Sequence, residues 1–219
     1  MKIILASASP RRQELLKHIF SEFTVIPAKE EEKAIFHSPD QYAQDLSGHK
    51  AHEIARMYFQ ATPASTKYDL KEIANDSLTL ILGADTIVYA SGKVLGKPSD
   101  PKEAREMLSM LSGKSHKVYT GVTLLIIRSK SDATGKNPPI NELIVDHSFS
   151  EETEVIVDKL TEKDIDAYIA GKDPFDKAGS YGIQGSFSKH IIGIRGDYFN
   201  VVGLPVSRIY REFNALWSH

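Results

Sequence analysis

Apolar and polar positions divide the chain into alternating strand-like and helix-like stretches. Residues 2–6 form a short apolar run that reads as a buried strand. Ser9 followed by Pro10 is the signature of a helix cap with proline at the first helical position, and Leu15, Leu16 and Ile19 share one face of that helix. Residues 23–27 read as a second strand. Ser38, Pro39 and Gln41 repeat the start signal in capping-box spacing and predict a helix to about residue 59. Residues 78–82 read as a buried strand ending at Gly83-Ala84-Asp85-Thr86, with strand pattern resuming over 87–90. Asp100, Pro101 and Glu103 then open a helix whose Ala104, Met107, Leu108 and Leu111 recur at helical spacing, and Gly113 stops it. Further strands are predicted over 116–127, 143–149, 153–157, 190–194 and 198–202. Thr161 caps a helix to residue 169, and a last helix starts at Pro205 with Ile209, Phe213 and Leu216 inward. The pattern is α/β without the regular alternation of a doubly wound sheet. The polar segments 60–77 and 129–146 are expected to be surface excursions.

Composition narrows the class. The 219 residues suit one large domain or two closely joined lobes. With 27 Lys+Arg against 29 Asp+Glu the net charge is −2, which argues against stable nucleic-acid binding through phosphate neutralisation. The absence of cysteine excludes a disulfide framework, a thiolate metal site and a Cys nucleophile. No apolar run approaches the roughly 20 residues that span a bilayer, so no membrane association and a cytoplasmic location are expected.

Candidate chemistry is concentrated in a few segments. Ser7-Ala-Ser9-Pro-Arg11-Arg12 lies between a strand and a helix start, where two hydroxyls and two guanidiniums suit phosphate. An ordinary cap with two solvated arginines fits the same residues. Lys50 shares a stripe with Ala43, Leu46, Ile54 and Met57. A lysine there either snorkels past the core, the commoner outcome, or points into a cleft holding an anion. Asp85 stands at the expected carboxyl end of a strand, the region where open α/β sheets place ligands, although a turn aspartate is the bland alternative. Lys97 sits in a tight turn. Glu30 to Glu32 form an acidic run of the kind that is usually solvated. The glycine-rich stretch 176–185 suits close backbone approach to a ligand, and Gln184 offers both donor and acceptor to a base edge. Cations for phosphates and carboxylates for a metal and a water suit phosphoryl chemistry, and no Walker A pattern is present.

Four longer motifs in order, ILASASPRRQELL, ILGADTIV, GKP with MLSMLSGKSHKVYTGV, and DKAGSYGIQG with GDYFNVVGLP, are similar to those of the Maf family of nucleoside triphosphate pyrophosphatases. The resemblance covers nearly the whole chain, 1–219, as one Maf-like domain. It implies an inosine triphosphate pyrophosphatase-like fold, with a mixed central sheet flanked by helices and a cleft between two lobes. It also implies a homodimer and hydrolysis of a nucleotide between its α- and β-phosphates with a divalent metal, Mg²⁺ or Mn²⁺. By motif, Asp85 matches the proton acceptor. Ser7, Arg12, Lys50 and Lys97 match phosphate positions, to which the hydroxyl of Ser9 is added, and Glu32 and Asp85 match the metal site. The pair Arg11–Arg12, Thr86 after the Asp, and Gln184 in the last loop resemble the dTTP/UTP branch, so Arg11, Thr86 and Gln184 are the expected specificity residues. The alternative is a nucleotide-binding regulator of cell division or septation without significant turnover, which would not require Asp85 together with the two lysines.

Overall fold

The computed structural model describes residues 1–29, 34–60, 78–130, 140–171 and 173–217. Seven strands form one mixed sheet: β1 (Lys2–Leu5), β2 (Thr24–Val25), β3 (Leu78–Ala90), β4 (Lys93–Leu95), β5 (Ser115–Lys130), β6 (Ile140–Val157) and β7 (Ile191–Arg195). Their order is β2-β1-β3-β5-β6-β7, with β4 also paired to β3. The pairs β1–β2 and β1–β3 are parallel and the others antiparallel. The helices are α1 (Pro10–Leu16), α2 (Pro39–Gln60), α3 (Pro101–Leu111), α4 (Glu162–Ile169), α5 (Tyr198–Val202) and α6 (Val206–Trp217). This is the mixed α/β class that the pattern predicts.

The central strands are apolar on both faces because both are covered. Leu80, Leu82, Ala84 and Val88 of β3 join Leu15 and Leu16 of α1, Leu108 and Leu111 of α3, Ile165 of α4 and Ile209 of α6 in the larger core cluster. Ile81 of β3 and Leu125 and Ile127 of β5 pack instead with Ala51, Ile54, Ala55 and Tyr58 of α2. A strand buried on both sides reads as a continuous apolar run and hides its alternation.

α2 lies unusually close to the sheet. A Cβ on Gly83 would stand 2.3 Å from the carbonyl oxygen of Ser47, and one on Gly121 would stand 2.0 Å from that of Ala43. The two glycines are on neighbouring strands, and the helix faces them with Ala43, Ser47 and Ala51, all fully buried. The buried stripe is therefore Ala43, Ser47, Ala51, Ile54 and Tyr58. The predicted stripe through Leu46, Lys50 and Met57 is its half-buried edge.

Several boundaries differ from the sequence expectation. β3 does not end at Gly83 but runs through it, because 83–85 pair with 121–123 of β5. Residues 140–146, expected in an excursion although read as strand from residue 143, belong to β6 and pair with β5 from Leu125 to Lys130. Their side chains are largely exposed, so the ladder that holds them leaves no hydrophobic signature. Residues 198–202, expected as a strand, form α5. Asp197 caps it by accepting from the Phe199 N–H at 2.8 Å, and Gly203, at φ 126°, ends it. A five-residue apolar run fits either state by periodicity. The caps at Ser9, Asp100 and Thr161 are formed as predicted, the last as a full capping box with Asp164. The predicted excursion over 60–77 lies, from residue 61, outside the described residues.

Candidate active site

β1 accompanies β3 only as far as Leu5 opposite Leu82, and the antiparallel β4 pairs with β3 only from Val88 onward, where its last residue, Leu95, stands opposite. Between them residues 83–87 have a ladder partner only on the β5 side among the described residues. A cleft of about 680 Å³ opens at this gap. Its walls come from 6–12, from one edge of α2, from 94–97 at the end of β4, from 176–184, and from 201–203 at the end of α5. Ligands in open α/β sheets sit beyond the carboxyl ends of strands. Here that end belongs to β1, so Asp85, expected at the end of its own strand, stands mid-strand in β3 and faces the cleft through the gap.

Side chains alternate along β3, and the cleft uses both faces. Asp85 points toward α2, where the Lys50 Nζ donates to its Oδ1 in an ion pair, both groups partly buried. The close approach of α2 at Gly83 brings the lysine within reach. Lys50 thus turns into the cleft and does not snorkel to solvent. Burial pushes its pKa down from the usual lysine value, Asp85 opposes that shift, and Arg12 and Lys97 reinforce it.

Thr86 points the other way, to Arg12. The Arg12 guanidinium donates from Nε to the Gly203 carbonyl at 2.9 Å, from one terminal nitrogen to Ser7 Oγ at 3.2 Å and from the other to Thr86 Oγ1 at 3.0 Å. A guanidinium has five N–H donors, so this leaves some of them for a ligand. Burial lowers the Arg12 pKa, Asp85 opposes, and Arg11 adds to the lowering. Ser7 is buried and also accepts the Ser9 N–H at 3.3 Å, while Ser9 Oγ caps α1 by accepting from the Arg12 N–H at 3.5 Å.

The opposite wall is the glycine-rich segment. Lys177 donates to both the carbonyl and the carboxylate of Asp173 and to Asp176, and Tyr168 donates to Asp173 at 2.8 Å. The Gly182 N–H donates in turn to the Tyr168 hydroxyl at 3.1 Å. Gln184 stands exposed on this braced segment and lines the cleft, and Arg11 bridges to Asp176 at 3.8 Å. The Gly179 N–H bonds to the Gly96 carbonyl at 3.0 Å, which fixes the segment beside Lys97.

Of the residues singled out from sequence, Ser7, Ser9, Arg11, Arg12, Lys50, Asp85, Thr86, Lys97 and Gln184 all line this one cleft. Glu32 lies outside the described residues. Among the described residues five cations, Arg11, Arg12, Lys50, Lys97 and Lys177, face it against two carboxylates, Asp85 and Asp176, although the whole chain carries −2. Sequence reasoning missed the lining side chains Tyr42 and Leu46. Leu46 stands four residues before Lys50 on the same helix edge, a spacing that marks it as a neighbour. It also missed Gly203 and Thr120, which reach Arg12 and Thr86 only through tertiary contact.

The sheet gap and its surplus of cations define an α/β protein whose cleft has the charge to suit a polyanion beside a carboxylate–lysine pair. The chain belongs to the Maf-like protein family, whose model matches residues 2–216. It is 49% identical over 215 residues to a dTTP/UTP pyrophosphatase of Agathobacter rectalis, covering 98% of this chain and 97% of that protein. It is 45% identical over 219 residues to a dTTP/UTP pyrophosphatase of Carboxydothermus hydrogenoformans, covering 100% of both. Among solved structures, the Ham1 protein of Staphylococcus aureus aligns over 99% of this chain and 100% of that one, with a TM-score of 0.42 and 11% identity.

Proposed function

We propose that this chain is a nucleoside triphosphate pyrophosphatase that hydrolyses dTTP and UTP between the α- and β-phosphates, giving the monophosphate and pyrophosphate. The observation that carries the reading is the Lys50–Asp85 pair set at the sheet gap among the cleft's cations. Relatives of this length and identity carry the same activity in their names.

In this reading Asp85 takes a proton from the water that attacks the α-phosphorus. Lys50, Arg12 and Lys97 stabilise the charge that builds on the phosphate oxygens, and the bond to the bridging oxygen breaks to release pyrophosphate. Ser7 and Ser9 hold phosphate oxygens through their hydroxyl and backbone groups. The donor set fits a divalent cation. No group of three or more His, Cys, Asp or Glu is assembled among the described residues, and Mg²⁺ or Mn²⁺ is typically held by one or two carboxylates together with substrate phosphates. Asp85, a hard oxygen donor in the cleft, would hold it, with Glu32 as the second carboxylate. Bound there, the cation would neutralise charge on the phosphates. Gln184, Arg11 and Thr86 make up the specificity set, with Gln184 the base reader because an amide both donates and accepts.

Pyrophosphate release measured with UTP, dTTP, CTP, ATP and GTP, with and without Mg²⁺, tests the proposal. UTP and dTTP are expected to lead, and Gln184→Glu to narrow their advantage by removing a donor. Run in ¹⁸O-water, attack at the α-phosphorus puts the label in the monophosphate. A preference for ATP or GTP would overturn the substrate reading, and nucleotide binding without turnover would favour the regulatory alternative.

A further inference from the structure

Behind Thr86 stands Thr120, its register partner on β5, fully buried. The Thr120 hydroxyl donates to the backbone carbonyl of Asn200 at 2.9 Å. It also lies 2.9 Å from Thr86 Oγ1. A hydroxyl has one proton. Since that of Thr120 goes to Asn200, the proton between the two threonines comes from Thr86. Thr86 then has only lone pairs left for the cleft, and it offers one to the Arg12 guanidinium at 3.0 Å. The direction of the whole chain is fixed: Arg12 to Thr86 to Thr120 to the Asn200 carbonyl. The far end is anchored, because the Asn200 side-chain amide donates to the Val118 carbonyl at 3.1 Å and to Thr153 Oγ1 at 3.0 Å, which holds α5 against the sheet.

We propose that Thr120 is a positioning residue for the pyrophosphatase reaction, which sets the Thr86 hydroxyl as an acceptor and thereby holds the Arg12 guanidinium in its phosphate-binding orientation. Thr120 does not reach the cleft and touches no substrate. It decides what Thr86 is able to offer there. With the relay intact, Thr86 cannot donate a hydrogen bond to a nucleotide. With Thr120 replaced by valine, the Thr86 proton has no partner behind it, so the hydroxyl is free to rotate and no longer holds a lone pair toward Arg12 in a fixed direction. Valine is nearly isosteric with threonine and favoured in strands, so the substitution removes the hydroxyl while keeping the shape.

The kinetic part of this inference rests on the pyrophosphatase reading, so its test includes a readout without turnover: binding of inorganic tripolyphosphate to the full chain by calorimetry. Thr120→Val is expected to lower kcat/KM for UTP and to weaken tripolyphosphate binding, each about tenfold, the factor that corresponds to one misdirected buried hydrogen bond. Thr120→Ser, which keeps the hydroxyl, is expected to restore both to within about threefold. In a Thr86→Val background Thr120→Val is expected to cause no further loss, because the effect passes through Thr86. Should Thr120→Val fail to fold, Thr120→Cys, a weak donor of similar size, takes its place, and failure of both to fold would make Thr120 purely structural and overturn the proposal. So would unchanged binding and kcat/KM in Thr120→Val, or an equal loss with and without Thr86. A wild type that binds tripolyphosphate through this relay yet releases no pyrophosphate from any nucleotide would strike the reaction and leave the relay standing.

Discussion

Asp85 and Lys50 act as one unit, since each is partly buried and each sets the charge the other sees. Burial presses the lysine toward its neutral form, and the adjacent carboxylate works against that. Arg12 is balanced in the same way, with Asp85 as its counter-charge. Replacing Asp85 by asparagine keeps the shape but removes the proposed proton acceptor and, among the described residues, the negative charge that offsets both cations. Turnover is expected to fall by about 10²–10⁴-fold, the contribution typical of a general base. Binding of a non-hydrolysable UTP analogue without a divalent cation should hold or tighten, because the cleft loses a charge that repels phosphate. Steady-state kinetics with calorimetry on folded Asp85→Asn checks both halves. Retention of most of the kcat would remove Asp85 from the proton-acceptor role, and weakened binding would remove it as a mere counter-charge.

At the scale of elements, the close seating of α2 on β3 and β5 makes the site. Gly83→Ala or Gly121→Ala drives a methyl group into helix backbone at 2.3 or 2.0 Å. Backbone cannot swing aside as a side chain does, so the helix has to lift. A cost of about 1–3 kcal/mol or more is expected, with kcat falling as Lys50 moves away from Asp85. Gly48, in the middle of the same helix, meets only Thr123 Oγ1 at 3.7 Å, an ordinary contact. Gly48→Ala should therefore stabilise the fold by up to about 1 kcal/mol through helix propensity. Thermal melts of the three variants check the contrast, and a stabilised Gly83→Ala would refute the seating argument. This geometry also marks what was legible in the sequence. The caps at Ser9, Asp100 and Thr161 are local chemistry and were readable. The orientation of α2 was read one position off because its true packing face is small residues, Ala43, Ser47 and Ala51, which carry little hydrophobic signal. Residues 140–142 and 198–202 were misread because a largely exposed ladder and a five-residue apolar run carry no decisive period.

For the whole molecule, the candidate site was legible as an inventory and not as an arrangement. Arg11, Arg12, Lys50, Asp85, Lys97 and Gln184 were found by residue type and motif and share one cleft. The sheet gap that gathers them depends on strand register, and so does the Thr86–Thr120 contact. The braced segment 176–184 adds a dependence of stability on pH. Tyr181 of that segment is buried, and its hydroxyl meets Nε2 of His116 on β5 at 2.7 Å. The His116 ring is buried, packs edge-on to Tyr181, and has no hydrogen-bond partner at Nδ1 among the described residues. Burial lowers its pKa from 6.5 to about 4. The folded state therefore keeps His116 neutral where the unfolded chain would protonate it. Its contribution is fully present above pH 6.5, is lost progressively as pH falls toward 4, and levels off below. A gap of about 2.5 pH units corresponds to roughly 3 kcal/mol. His116→Gln offers Tyr181 a non-titrating partner, and carboxylates elsewhere titrate equally in both proteins. Urea denaturation from pH 7.5 to 4 should show the wild type losing about 3 kcal/mol more than His116→Gln over the lower part of that range. Parallel stability curves for the two proteins would show that His116 does not resist protonation in the fold. The strand and the cleft wall would then be joined there by the Tyr181 hydrogen bond alone, without a pH-dependent contribution.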